Sequence, residues 1–267
     1  MRFEGKRVIV TGSNNGIGKA TAILFAKEGA SVLIHGRDLN AINETVKECN
    51  DIAGKDAKFP IVKGNIEDDD VVMKIKDTAV ETFGKIDILI NNAGGGSAQS
   101  LGDTPMSVFD EQYKILLRAP VYLSQLCFPE LKRNNGNIVN ISSMMGTEPS
   151  DSIPFYSMSK AGLNMFTKCA ALEFGAQGVR VNAVCPGFLM TTMHRKNGIS
   201  DEAVQEFYDS VAKTVPLGKV GTKEETAKLI AFLASDDASM MNGACVVQDG
   251  GNSLIGLDKK SLENAAN

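Results

Sequence analysis

A chain of 267 residues that is 43% hydrophobic and 22% charged can bury one sizeable core or two small ones, which excludes a disordered chain and a disulfide-stapled miniature fold. With 28 basic against 32 acidic residues the net charge is −4, so nothing in the bulk composition draws it to nucleic acid or to an anionic membrane. Five scattered cysteines (Cys49, Cys127, Cys169, Cys185, Cys245) without a C-x-x-C pair, two histidines, no apolar run of membrane-span length and no apolar stretch behind Met1 exclude a zinc site and a disulfide framework, and lead us to expect a cytoplasmic chain whose thiols are reduced core residues.

In chain order, Arg7 to Thr11 is a β-branched run that passes through Gly12-Ser13-Asn14-Asn15-Gly16 into a helical pattern at Ile17, Ala20, Ile23, Leu24 and Ala26. Gly29 closes that helix and Ser31 to His35 resumes a strand, which completes a βαβ unit. A helix over about 40–52 leads to a strand at 58–62, and one over 69–83 leads to the apolar run 86–90. Helical segments spanning 106–132 precede a strand at 137–141, and a long helix over about 155–174 precedes a strand at 180–184. A helix at 223–234 then precedes a last strand at 244–247. Strands that alternate with helices and read as continuous apolar runs predict a parallel sheet covered on both faces: a doubly wound, Rossmann-type three-layer α/β/α sandwich. No linker interrupts the rhythm, so residues 1–257 are read as a single domain with a substrate lid inserted at about 188–221 and a polar tail over 258–267.

Gly12, Gly16 and Gly18 sit where the first strand hands over to its helix, where backbone N–H groups and the helix dipole converge on an anion such as a pyrophosphate. Taken alone, the same glycines also suit a tight turn with close helix–strand packing. The end of the second strand reads His35-Gly36-Arg37-Asp38. Gly36 stands where an acid would select the ribose hydroxyls of NAD, and Arg37 offers a guanidinium fork to a 2′-phosphate, so the reading is NADP(H) in preference to NAD(H). The alternative leaves Arg37 as a solvated strand end and Asp38 as a helix cap. Tyr156 and Lys160 stand at i and i+4 on the predicted long helix, where an ammonium lowers a phenol pKa from about 10 if the two face a common site, although such pairs are also ordinary solvated neighbours.

Thr11-Gly12-x-x-x-Gly16-Ile17-Gly18, Asn91-Asn92-Ala93-Gly94, Ser143 ahead of Tyr156-x-x-x-Lys160, and Pro186-Gly187 with Thr191 occur together in one order. In that order and at those separations the chain resembles the short-chain dehydrogenase/reductase family from Gly5 to about Gly251, with a narrower likeness to 3-oxoacyl-carrier reductases and tropinone-reductase-like members. The resemblance implies that Tyr156 is the general acid or base at the substrate oxygen, that Lys160 lowers its pKa and binds the nicotinamide ribose, and that Ser143, rather than Ser142, orients that oxygen. It further implies a cofactor held at Gly12, Ser13, Asn14, Gly16, Ile17 and Gly18, with Arg37, Asn65 and Ile66 around its adenosine. Asn92, Ala93 and Gly94 would lie beside the adenosine and ribose, with Asn91 tying backbone together beneath them. Pro186, Gly187, Leu189 and Thr191 would grip the carboxamide, and the assembly implied is a homotetramer joined through the 106–132 and 155–174 helices.

Two departures from the family pattern stand out. Leu116 occupies the place of a family Asn that holds a relay water to the lysine, and Pro120, four residues on, has no N–H to give the Leu116 carbonyl. A kink with that carbonyl holding the relay water is therefore expected, with Gln112 as a second stand-in. Asn65 replaces an Asp and keeps an acceptor oxygen for adenine. The run Glu67-Asp68-Asp69-Asp70 opens a helix, where acids complement the dipole, and no metal site is read.

Met145, Phe188 and Met193, together with Ser143 and Tyr156, are the expected substrate contacts, in an apolar surround that also draws on Met144, Phe155, Met190 and Tyr208. The expected activity is therefore an NADP(H)-dependent oxidoreductase acting on a carbonyl or secondary alcohol of a largely apolar small molecule. The alternatives are a 3-oxoacyl-carrier-protein reductase of fatty acid synthesis, for which His194-Arg195-Lys196 supplies a short basic run, and a weakly catalytic NADP-binding sensor or assembly protein, for which Leu116 speaks.

Overall fold

The computed structural model describes residues 1–96, 98–190 and 200–255. Among them the strands are β1 (Arg7–Val10), β2 (Ser31–Gly36), β3 (Ile61–Lys63), β4 (Ile88–Asn91), β5 (Asn137–Ile141), β6 (Arg180–Pro186) and β7 (Cys245–Gln248). They pair in parallel in the order β3-β2-β1-β4-β5-β6-β7, so the winding reverses between β1 and β4. The helices are α1 (Gly16–Lys27), α2 (Leu39–Ile52), α3 (Asp69–Phe83), α4 (Met106–Tyr113), α5 (Ala119–Arg133), α6 (Pro154–Gly175), α7 (Asp201–Thr214) and α8 (Lys223–Ala234).

Alternate strand residues feed two separate cores. Val8, Val10, Val32, Ile34, Ile88 and Ile90 pack with Phe25 of α1, Ile42 of α2 and Ile230 of α8. Ile9, Leu33, Leu89 and Ile138 pack on the other side with Ile75 of α3, Leu123 of α5 and Phe174 of α6. Both faces of the sheet are therefore apolar, which is why the strands read as unbroken hydrophobic runs, and the expected doubly wound sandwich is the observed one.

Two local expectations, the strand at 58–62 and the burial of the cysteines, need correction, and the inserted segment gains detail. The strand expected at 58–62 is a three-residue β3, because Pro60 has no N–H to give; the carbonyls of Lys58 and Pro60 still accept from Val32 and Ile34 at 3.1 and 2.9 Å. The segment read as a lid contains α7, capped by the Ser200 hydroxyl on the Ala203 N–H, while residues 191–199 and the 258–267 tail lie outside the described residues. Of the five cysteines, Cys49, Cys127 and Cys185 are buried, but Cys169 is exposed on α6.

Candidate active site

The carboxyl ends of β1, β2, β4, β5 and β6 converge on the edge where the winding reverses, the place where open α/β sheets bind ligands. The first loop there is locked from two sides. Thr11 N donates to the Ile90 carbonyl at 3.1 Å, and the Thr11 hydroxyl oxygen accepts from the Asn92 and Ala93 N–H groups at 2.9 and 3.0 Å. The Asn92 amide returns the contact by donating to the Thr11 and Gly12 carbonyls at 2.8 and 3.2 Å. Asn92 therefore ties the backbone together; the expectation gave this task to Asn91, whose amide instead donates to the Ser124 hydroxyl and the Asn140 side chain at 3.1 and 2.8 Å.

Two glycines of this loop have no room for a side chain. A Cβ on Gly18 would collide with the Gly12 carbonyl oxygen, and one on Gly12, whose φ is +64°, would come within 2.9 Å of Ala93 Cα. Asn15 at the start of α1 gives no side-chain cap and the first turn carries no acid, so the N–H groups there remain open to an anion. This cradle fits the pyrophosphate of a dinucleotide. Ser13 was expected among the cofactor contacts, but its side chain is fully buried: its hydroxyl donates to the Val10 carbonyl at 2.7 Å and accepts from His35 N at 3.0 Å.

At the end of β2, Asp38 caps α2 by accepting from Asn40 and Ala41 at 2.9 and 3.3 Å; Arg37 is exposed beside it, and the exposed Lys63 of β3 stands in register with Gly36. Buried Ile66 and exposed Asn65 follow β3. Of the acidic run, Asp69 opens α3 and is held by both terminal nitrogens of Arg118.

The chemistry-bearing residues gather around the end of β5 and the first turns of α6. Ser143 is buried, and its oxygen accepts from Met145 N at 3.1 Å, so its hydroxyl hydrogen stays available to donate. Ser142 is spent on the Lys160 carbonyl at 3.2 Å. Tyr156 is half-buried, with its ring close beside Gly96. Burial raises its pKa above the usual phenol value, and the nearby Ser143 hydroxyl opposes the rise. Lys160 is buried, donates to the Ile141 carbonyl at 2.6 Å, and is lowered to about 8 by desolvation.

Lys160 was expected to depress the Tyr156 pKa. Instead its ammonium is drawn to the Ile141 carbonyl, 5.5 Å from the centre of the tyrosine ring, and burial dominates the phenol. The kink expected near Leu116 is a π-helical segment, Lys114–Arg118, in which Ala119 N reaches back to the Lys114 carbonyl. Beside this segment the Lys160 ammonium donates to the Ile141 carbonyl, and the Leu116 side chain is buried over Gly94. Gln112 lies buried one turn earlier with its Oε1 unpartnered among the described residues.

Around this group, Gly187 N donates to the Gln248 carbonyl at 2.9 Å, and the Phe188 carbonyl and Met190 N bond to Gly221 at 2.9 and 3.0 Å. That ladder holds Pro186, Gly187 and Leu189 along the edge of the site, with Phe188 and Met190 partly exposed and Met145 half-buried. Met144, Phe155 and Tyr208 are buried, as are Ser143 and Lys160. Thr191, Met193, His194, Arg195 and Lys196 fall outside the described residues. Sequence reasoning passed over Thr11 and His35 as structural parts of the site. His35 is buried, and its Nδ1 accepts from Gly12 N at 3.1 Å. A histidine one residue before the end of a buried strand, beside a glycine turn, was the available signal.

Comparison with known proteins agrees with this geometry. A family model described as Enoyl-(Acyl carrier protein) reductase matches residues 12–253. The 3-oxoacyl-[acyl-carrier-protein] reductase of Thermotoga maritima is 35% identical over 252 residues, covering 94% of this chain and 99% of that protein. A short-chain dehydrogenase/reductase of unknown function from Caenorhabditis elegans, solved with cofactor, superposes with a TM-score of 0.90 at 34% identity, covering 96% of this chain and 98% of the other. L-sorbose reductase from Gluconobacter frateurii, solved with NADPH and L-sorbose, gives a TM-score of 0.90 at 28% identity, covering 96% of this chain and all of that one. With the switch-point cradle and the Ser143, Tyr156 and Lys160 group at one sheet edge, the match over nearly the whole length means that this chain belongs to the short-chain dehydrogenase/reductase family of oxidoreductases.

Proposed function

We propose that this protein reduces a ketone or aldehyde, or oxidises the matching secondary alcohol, of a largely apolar small molecule with NADP(H). The observation that carries the reading is the meeting of a half-buried Tyr156, a donor-ready Ser143 and a buried Lys160 at the mouth of the β1/β4 cradle. A bound nicotinamide supplies or accepts the hydride. Tyr156, kept protonated at neutral pH by burial, gives its proton to a carbonyl oxygen in reduction and takes one back in oxidation. The Ser143 hydroxyl donates to that same oxygen and stabilises the charge that develops on it. Lys160, anchored at the Ile141 carbonyl with its ammonium 5.5 Å from the centre of the Tyr156 ring, is read as a cation for the nicotinamide ribose.

Exposed Arg37 beside a side-chain-free Gly36 favours NADP(H) over NAD(H), and the NADPH held by the sorbose reductase is consistent with that choice. Half-buried Met145 and partly exposed Phe188 and Met190 favour an apolar substrate. The Thermotoga relative favours one second reading, reduction of a 3-oxoacyl group on a carrier protein. We further propose a single domain over residues 1–257 that works as a cytoplasmic homotetramer.

The test is a cofactor-absorbance screen of ketones, dicarbonyls, 3-oxoacyl thioesters and alcohols with NADPH and with NADH. Turnover with NADPH is expected, and Tyr156→Phe should lose roughly 10²–10⁴-fold in rate while NADPH still binds. Equal activity in the Tyr156→Phe protein would remove Tyr156 as the general acid, and binding without turnover on every substrate would leave only the sensor reading.

A further inference from the structure

We propose that Asn14 is a specificity-determining residue: seated against Gly36, it denies the end of β2 any side chain, and so keeps out the carboxylate that a ribose diol would need. The inference rests on the NADP(H) reading above and deepens it.

A Cβ on Gly36 would collide with Asn14 Cγ and would lie 2.7 Å from Asn14 Cβ. Rotation about the Asn14 side chain relieves the first contact but not the second, because a Cβ position is fixed by the backbone. The two backbones cannot part. Ser13 N donates to the His35 carbonyl at 2.8 Å, His35 N to the Ser13 hydroxyl at 3.0 Å, and Gly12 N to His35 Nδ1 at 3.1 Å, while the Ser13 hydroxyl is also bound to Val10. Ser13 and His35, the residues immediately before Asn14 and Gly36, are thus clamped to each other by two bonds and Gly12 holds His35 by a third, while Gly12 is wedged against Ala93 from the other side. Gly36 φ is not in the left-handed region, so its lack of a side chain answers to this contact and not to its backbone angle. The consequence is an interlock: position 36 becomes free to carry an acid only when position 14 loses its side chain, and until then Arg37 is the polar group that meets the adenosine ribose.

A thermal double-mutant cycle reads the interlock without any cofactor. Gly36→Ala in the native background should lower Tm by at least ~3 °C, as overpacking does in a chain of this size, and by clearly less when Asn14→Gly is already present. Equal losses in both backgrounds, or no loss in either, would overturn the proposal. Calorimetric titration of the apo proteins supplies the second reading. Gly36→Asp alone should weaken NADPH without gaining NADH, whereas Asn14→Gly with Gly36→Asp should move the NADH-to-NADPH affinity ratio toward NADH by ~10-fold or more, the scale of one charged hydrogen bond. A full NADH gain from Gly36→Asp alone would also overturn it. A native preference for NADH would remove the NADP(H) reading instead, and the thermal cycle would still decide whether Asn14 excludes a side chain at 36.

Discussion

Burial sets the protonation of the groups at this site before any ligand arrives. Desolvation holds Lys160 near 8 and raises Tyr156, so the phenol enters a reduction with its proton in place. The same force acts on His35, which burial lowers to about 4 against a smaller opposing pull from the Gly64 backbone; its Nδ1 accepts from Gly12, and its Nε2 meets no hydrogen-bond partner within normal distance among the described residues. The unfolded chain binds a proton near 6.5 and the folded one resists it until about 4, so stability is complete above 6.5 and is lost as pH falls between those values. The loss is of order 3 kcal/mol, enough to matter in a chain of ordinary stability. The native Tm should therefore rise between pH 4 and 6.5 and His35→Asn should flatten that rise; an unchanged slope would assign the pH dependence to other groups. The identities of Ser143, Tyr156 and Lys160 were legible from their order and spacing. Their hydrogen-bond partners were not, because whether an ammonium reaches a phenol or the Ile141 carbonyl depends on how α6 lies against the end of β5.

The segment from α4 to α5 shows what a sequence signal says about an element and what it leaves open. Pro120 announced that a long helix could not run regularly through Leu116, since it offers no N–H and its ring crowds the carbonyl four residues back. The chain answers with one wide turn, in which Ala119 N skips to the Lys114 carbonyl, and continues into α5. The Ser124 hydroxyl donates to the Pro120 carbonyl at 2.7 Å and accepts from Asn91, whose amide also reaches Asn140; that residue in turn donates to Thr167 of α6. The wide turn is thus fastened to β4, β5 and α6 through buried side chains, and it carries Leu116 onto Gly94. Leu116→Ala should cost ~2–5 kcal/mol, the range for a buried leucine that leaves a cavity, read as a lower urea midpoint at unchanged slope. A loss under ~1 kcal/mol would mean that the surroundings collapse onto Gly94 and that Leu116 is not what holds this wall. Helix α7 was missed for the opposite reason: Ser200, Asp201 and Glu202 gave a start signal and Val204, Tyr208, Val211 and Val215 a helical spacing, but the stretch was read only as a departure from the βα rhythm.

At the scale of the whole molecule, the doubly wound sandwich buries both faces of its sheet and leaves an apolar stripe on the outside of α6. Met158, Met165 and Leu172 are 53%, 58% and 81% exposed and stand seven residues apart, so they follow one face of the 22-residue helix. A seven-residue apolar repeat suits a second helix crossing at a shallow angle, and a two-fold axis would present the same stripe to itself, so that every buried side chain counts twice. Each Met or Leu removed from water contributes ~1.5–3 kcal/mol, so six such side chains provide a substantial share of what an obligate interface needs. The homotetramer proposed above makes this stripe one of its contacts. Light scattering on the eluting native protein should give four times the 28.5 kDa chain mass, and Met165→Glu combined with Leu172→Glu should halve or quarter it. Because Ser143, Tyr156, Lys160 and the glycine cradle all come from one chain, the dissociated variant should still bind NADPH. An unchanged mass in that variant would move the interface to another face, and a monomeric native protein would remove the tetramer altogether.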